Sequence, residues 1–229
     1  MAYHFSAESG HADSACYEVG KQVVFSRVPT RRKITEPDGV YFITITCHQW
    51  LPLIELISGY DMVYKWFDHL KDKGHYITGY VIMPNHFHVL IAFRNTGQSI
   101  NTIVGNGKRF MAYEIINRLE QLNENQLLRR LNLSVEAKER VRNKKHEVWE
   151  ASLVPIFIGR KECRSHKFMK QKLDYMHDNP CRGKWNLVTD VTQYAHSSAR
   201  FYLCGEQGTY SVMNYLELDE IDLTKPVAG

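Results

Sequence analysis

The sequence has no Cys-x-x-Cys pair, no internal repeat and no low-complexity tract. Its five cysteines, Cys16, Cys47, Cys163, Cys181 and Cys204, are odd in number and scattered. That pattern excludes a disulfide framework and a zinc knuckle and leaves free thiols. No apolar run is long enough to cross a bilayer. Residues 1–30 lack the basic start and apolar centre of a secretory signal, so a cytoplasmic protein with no membrane partner is expected. With 44% hydrophobic and 24% charged residues among 229 positions, the composition is that of a globular chain able to bury one sizeable core.

The net charge is only +4, but charge is unevenly placed. Residues 108–172 hold 16 Lys and Arg against 8 Asp and Glu, a net +8, which leaves −4 for the rest. A polyanion such as a phosphate backbone is held by such a stretch. A solvated helical face has the same composition, and charge alone does not separate the two.

Residues 1–38 read as a polar N-terminal extension with a basic cluster, Arg27, Arg31, Arg32 and Lys33, closed by the turn Pro37-Asp38-Gly39. Residues 40–47 are rich in β-branched and aromatic side chains and predict a first strand. Met62, Trp66, Phe67 and Leu70 recur at helical spacing within 59–73, and Gly74 stops that helix. Two strands follow at 75–83 and 86–93, joined by Pro84-Asn85 as an antiparallel hairpin, with a bulge expected where proline cannot donate. Apolar spacing predicts a helix over 99–122, weakened near its start by Gly105 and Gly107. Residues 123–147 read as a basic helical insertion outside the core. A strand broken at Pro155 is expected within 148–158, then a helix from 162 to 178 ended by Asn179-Pro180.

The order β, α, β, β, α, β, then a helix, predicts an α+β domain with a ferredoxin-like split βαβ antiparallel sheet, two helices on one face and an additional tyrosine-bearing helix. Its span is 39–204, followed by an acidic tail over 205–229. In the second hairpin strand, His86 and His88 are two residues apart, so both imidazoles share one face while Phe87, Val89 and Ile91 share the other. Imidazoles paired in this way are metal ligands or polar residues of a sheet surface, and the spacing favours neither. In the last helix, Met169, Leu173 and Met176 form an apolar stripe. Tyr175 lies about 100° from it, and Asn179 stands one turn above Tyr175. Two imidazoles and an amide oxygen make a three-point site for a hard divalent cation with open positions for a phosphate oxygen. A cation there polarises a phosphodiester, and a tyrosine hydroxyl one turn away can serve as the nucleophile.

Residues 81–91, with Met83-Pro84-Asn85-His86-Phe87-His88 at their centre, together with Tyr175 to Pro180 and Ser197 to Tyr202, resemble the single-tyrosine HUH transposases of small insertion sequences. The resemblance is to the branch of REP-associated tyrosine transposases and covers roughly residues 38–204. It implies a ferredoxin-like fold, dependence on Mg²⁺ or Mn²⁺, and cleavage and rejoining of single-stranded DNA with hairpin or palindromic ends through a 5′-phosphotyrosine intermediate. Carried over by position, His86, His88 and Asn179 are metal ligands and Tyr175 is the nucleophile. The tyrosine helix of this family docks on its own domain or on a partner's, so a homodimer is one possible arrangement. Lys108, Arg109, Lys172, Arg182 and Lys184 are candidate phosphate contacts, whereas His177 and His196 are not expected to be ligands. The His-x-His-x-His signature of histidine-triad hydrolases fails because position 90 is leucine. A transposon-derived DNA-binding regulator without cleavage activity is the other class compatible with these residues.

Overall fold

The structure, a computed structural model, describes residues 34–151, 156–159 and 163–226. The basic cluster 27–33 and the expected break at Pro155 lie outside them. Strand β1 (Gly39–Thr46) leads through a 3-10 turn and the short helix α1 (Leu53–Leu56) into helix α2 (Tyr60–Asp72). Strands β2 (Tyr76–Met83) and β3 (His86–Phe93) follow, then helices α3 (Ile100–Gln121), α4 (Asn125–Leu133) and α5 (Ala137–Arg140). Strand β4 (Ile156–Gly159), helix α6 (Cys163–Asp178) and helix α7 (Ala199–Cys204) complete the chain's main elements. The sheet order is β2-β3-β1-β4 with every pairing antiparallel, which is the expected ferredoxin-like topology.

Strand alternation sorts the side chains into two cores. Tyr41, Ile43 and Ile45 of β1 and Phe87, Val89 and Ile91 of β3 face α2 and α3, where they meet Phe67, Leu70, Met111 and Ile115. Val40 and Phe42 of β1, Val81 and Met83 of β2, and Leu90 and Ala92 of β3 form the other face, covered by Met169, Leu173 and Met176 of α6. The three α6 residues are those of the expected stripe, and each fully buried side chain of this size stabilises by about 1.5–3 kcal/mol.

Several local expectations change. The bulge falls between Ile77 and Gly79 instead of at the proline, whose carbonyl accepts from the N–H groups of Ile54 and Glu55. Helix α3 runs unbroken through Gly107, where a Cβ would lie 2.2 Å from Trp66 Nε1, so the glycine lets α2 approach. Residues 123–147 are helical over α4 and α5 but are not outside the core: Leu131 is fully buried in the α2/α3 cluster, with Leu127 and Leu128 packed against it. The segment after 205 also returns to the domain. Tyr210 and Val212 enter the first core and Leu218 and Leu223 the second. The exposed edge of β2 is covered by residues 196–198 and by Met213, which hydrogen-bond along it.

Candidate active site

Strand β3 begins at His86, so the two histidines stand at one end of the sheet on the α6 face. Their cross-strand partners on β1 are Thr46 and Thr44, polar interruptions between Ile43, Ile45 and Cys47. The ring centroids of His86 and His88 are 4.9 Å apart. His88 stacks on Phe42 at 5.2 Å, and its Nδ1 is 2.7 Å from the Thr44 hydroxyl. Asn85 donates from Nδ2 to the carbonyl of Trp50 and so turns its Oδ1 toward His86, accepting from Nδ1 at 2.7 Å. Each ring thus has Nδ1 engaged by an oxygen, and Nε2 is left for another partner.

Helix α6 brings the remaining expected residues to the same place. Tyr175 is 55% exposed, its ring 5.4 Å from that of His88 and edge-on to Phe42. Asn179 donates from Nδ2 to the carbonyl of Tyr175 at 2.9 Å, which caps the end of the helix and leaves its Oδ1 free. That side chain lies beside His86 and favours its protonated form. In this chain α6 packs on its own sheet.

The helix is fixed by packing and by one polar clasp. His177, buried, has Nε2 2.9 Å from Ser198 Oγ, which accepts from Tyr80 N–H at 2.9 Å and contacts the Tyr80 carbonyl at 3.2 Å. His177 therefore ties α6 to β2, on a different side from Tyr175. His196 stacks on Tyr60 at 3.6 Å with Nδ1 2.9 Å from the Tyr64 hydroxyl, also away from the histidine pair.

Burial sets the protonation of the rings. It pushes His86 down to about 4, against a smaller upward pull from Asn179. It also holds His88 well below its ordinary value, with the nearby His86 and Lys172 adding in the same direction. Both imidazoles are neutral at pH 7, the form that ligates a cation without first losing a proton. Two neutral imidazoles with oriented Nδ1 atoms and one amide oxygen fit a divalent cation. Among the described residues no cluster of three or more His, Cys, Asp or Glu side chains could hold a metal.

The expected cations are dispersed. Lys172 stands at the site, with Nζ 5.2 Å from the Phe42 ring and 6.0 Å from the Tyr175 ring. Arg182, just past Asn179, is paired with Asp178, and Lys184 lies over the Trp185 ring. Lys108 and Arg109 belong to α3 on the opposite face of the sheet. There Lys108 donates to the carbonyl of Glu150, and Arg109 lies over Phe110.

No protein-family model matches this chain, and no curated protein matches it. Among solved structures, one that is similar is that of a REP-associated tyrosine transposase bound to a REP hairpin. The two share 15% identity with a TM-score of 0.45, over 87% of this chain and 98% of that one. A likeness of that size carries no argument, and the fold and the site stand on the geometry above. Among the described residues, no helix is long and apolar enough to cross a membrane.

Thr44, Asn85 and Trp50 were not singled out by the sequence as site residues. Thr44 had a legible signal, because it and Thr46 are the polar positions alternating with Ile43 and Ile45 and so share the histidine face. Asn85 read as a turn residue and as part of the histidine motif but was given no role, and Trp50 carried no signal.

Proposed function

We propose that this chain is a metal-dependent nickase and strand transferase for single-stranded DNA with hairpin or palindromic ends, acting in the cytoplasm through a 5′-phosphotyrosine intermediate. The observation that carries the reading is the convergence of Tyr175, His86, His88 and Asn179, from two distant segments, at one end of the α6 face. The motifs shared with single-tyrosine HUH transposases support the same reading.

His86, His88 and Asn179 would hold Mg²⁺ or Mn²⁺. When bound, the cation would act as a Lewis acid on a non-bridging phosphate oxygen. Tyr175 then attacks phosphorus. A bond forms from its phenolic oxygen to phosphorus, the bond from phosphorus to the 3′ oxygen breaks, and that oxygen leaves as a 3′ hydroxyl. The phenolic proton passes to solvent, to which Tyr175 is open, and water protonates the leaving oxygen. Rejoining runs the same exchange in reverse from a 3′ hydroxyl, and the energy of the phosphodiester is kept in the phosphotyrosine bond. Lys172 places a positive charge beside the tyrosine ring, where it would attract the strand. A single strand suits this site because the phosphate must reach rings that lie low against the sheet. One chain suffices, since α6 docks on its own sheet.

The test is to incubate the protein with Mn²⁺ and a hairpin-bearing single strand and run a denaturing gel. A covalent adduct is expected for the parent and none for Tyr175→Phe. An adduct that persists in Tyr175→Phe would refute the nucleophile, and no adduct with any hairpin would favour a DNA-binding regulator.

A further inference from the structure

The chain leaves β1 through a tight turn beside His86, and that turn displays a tryptophan. Gln49 and Trp50 both have left-handed backbone, with φ of 51° and 56°, a conformation unfavourable for residues with a Cβ. The turn is nevertheless firmly held. Trp50 N–H donates to the Cys47 carbonyl at 3.0 Å, and the Trp50 carbonyl accepts from Asn85 Nδ2 at 3.0 Å. Gln49 N–H donates to Glu150 Oε1 at 2.5 Å, and Arg130 Nε donates to Gln49 Oε1 at 2.9 Å. This restraint does not bury the indole, which is 56% exposed, whereas Trp66 and Trp149 are buried. The indole stands edge-on to His86, with ring centroids 5.7 Å apart. Tyr175 contacts the other histidine, His88, so the order across the site is Tyr175, His88, His86, Trp50.

We infer that Trp50 is a stacking platform for one nucleobase of a single strand, the base next to the phosphate that sits at the histidine pair. The inference rests on the proposed function and deepens it by assigning a base subsite. An exposed indole offers a flat apolar face that any base can cover, so the subsite would tolerate any sequence. Asn85 sets its register, because one amide both holds the Trp50 peptide and orients His86. A base stacked on the indole would thereby be placed relative to the ring that receives the phosphate.

The experiment uses the full chain carrying Tyr175→Phe, in chelator, with a fluorescent single strand followed by anisotropy. Trp50→Phe keeps an aromatic face and is expected to bind within about threefold of the parent, whereas Trp50→Ala is expected to lose about 5- to 150-fold in affinity. Strands with a single abasic residue at successive positions supply the second arm. At one position the abasic strand should bind weakly to the parent and no more weakly to Trp50→Ala, because the stacking partner is already gone. Equal affinity of Trp50→Ala and parent for the intact strand would overturn the inference. So would a loss in Trp50→Ala that is the same at every abasic position, which would make Trp50 a residue that only shapes the turn. The adduct assay with metal, run on proteins that retain Tyr175, separates this from failure of the nicking reading. Strand binding that depends on Trp50 without any adduct sinks nicking and keeps the subsite. An adduct together with binding indifferent to Trp50→Ala sinks the subsite and keeps nicking.

Discussion

At Gly79 the sheet leaves room for Leu173 of α6, and adding one methyl group there tests whether that close approach positions Tyr175. A Cβ on residue 79 would lie 2.3 Å from Leu173 Cδ2 and 3.7 Å from its Cγ. Carbon atoms pack at about 3.5–4.0 Å, so the first contact is short by more than about 1 Å. Leu173 is buried among Val81, Leu90 and Met176 and cannot swing into solvent. Either the leucine is driven off its rotamer or α6 lifts, carrying Tyr175 two residues further along. Overpacking of this kind costs about 1–3 kcal/mol, which for a domain of this size lowers Tm by about 2–4 °C per kcal/mol. A displacement of about 1 Å at a reacting group costs on the order of a hundredfold in rate. Gly79→Ala should therefore form the covalent adduct about 10- to 100-fold more slowly in single-turnover assays. It should still bind a single strand in chelator much as the parent does, because Trp50 and the histidine strand are untouched. Adding Leu173→Val removes the clashing methyl and should restore most of the rate. An adduct rate for Gly79→Ala within about twofold of the parent would refute the reasoning, as would a Leu173→Val partner that leaves a well-folded double variant equally slow.

Other consequences follow from the same geometry. Burial holds His75, His86 and His177 to about 4 and His88 below its ordinary value, while unfolded histidines titrate near 6.5. Between those values the unfolded chain takes up protons that the folded chain refuses, so stability is fully present above about pH 6.5 and falls as pH drops toward 4. Each ring contributes up to about 1.4 kcal/mol per pH unit, so the urea midpoint should be lower at pH 5 than at pH 7, and an unchanged or higher midpoint would contradict the burial argument. Thr44→Val keeps the shape of the side chain but removes the oxygen at His88 Nδ1, and calorimetric Mn²⁺ affinity should drop roughly 10- to 100-fold. Two of the three donors are nitrogens, so Mn²⁺ should support adduct formation at lower concentration than Mg²⁺, and the reverse order in a titration would argue against His86 and His88 as ligands. Mixing His86→Ala with Tyr175→Phe should yield no adduct if α6 keeps the place it has here on its own sheet; an adduct from the mixture would mean that α6 can exchange between subunits.

The sheet and its order were legible because the strands are apolar with clear breaks, and because His86 and His88 alternate with core residues that have no other face to occupy. The stripe of Met169, Leu173 and Met176 likewise fixed which side of α6 is buried, and with it where Tyr175 emerges. What stayed hidden depends on contacts between distant segments. Leu131 sits in a stretch dominated by lysine and arginine, and only the surface of α3 shows that it is a core residue. The clasp from His177 through Ser198 to Tyr80 joins three segments, and no local pattern links them. Trp50 was invisible for a different reason. Its exposure follows from left-handed backbone at two consecutive non-glycine residues, which nothing in Cys47-His48-Gln49-Trp50 announces. The charge excess over 108–172 did not separate a nucleic-acid surface from a solvated face, and of the five candidate phosphate contacts only Lys172 lies over the Tyr175 ring.

The central claim is that Tyr175 becomes covalently joined to DNA, and mapping the attachment tests it most directly. The parent protein is incubated with Mn²⁺ and a hairpin-bearing single strand, digested with trypsin and nuclease, and its peptides are weighed. The account predicts a nucleotide 5′-phosphate on the peptide containing Tyr175 and on no other peptide, with no modified peptide from Tyr175→Phe. A nucleotide attached to a different residue, or an unmodified Tyr175 peptide beside a nicked strand, would contradict it.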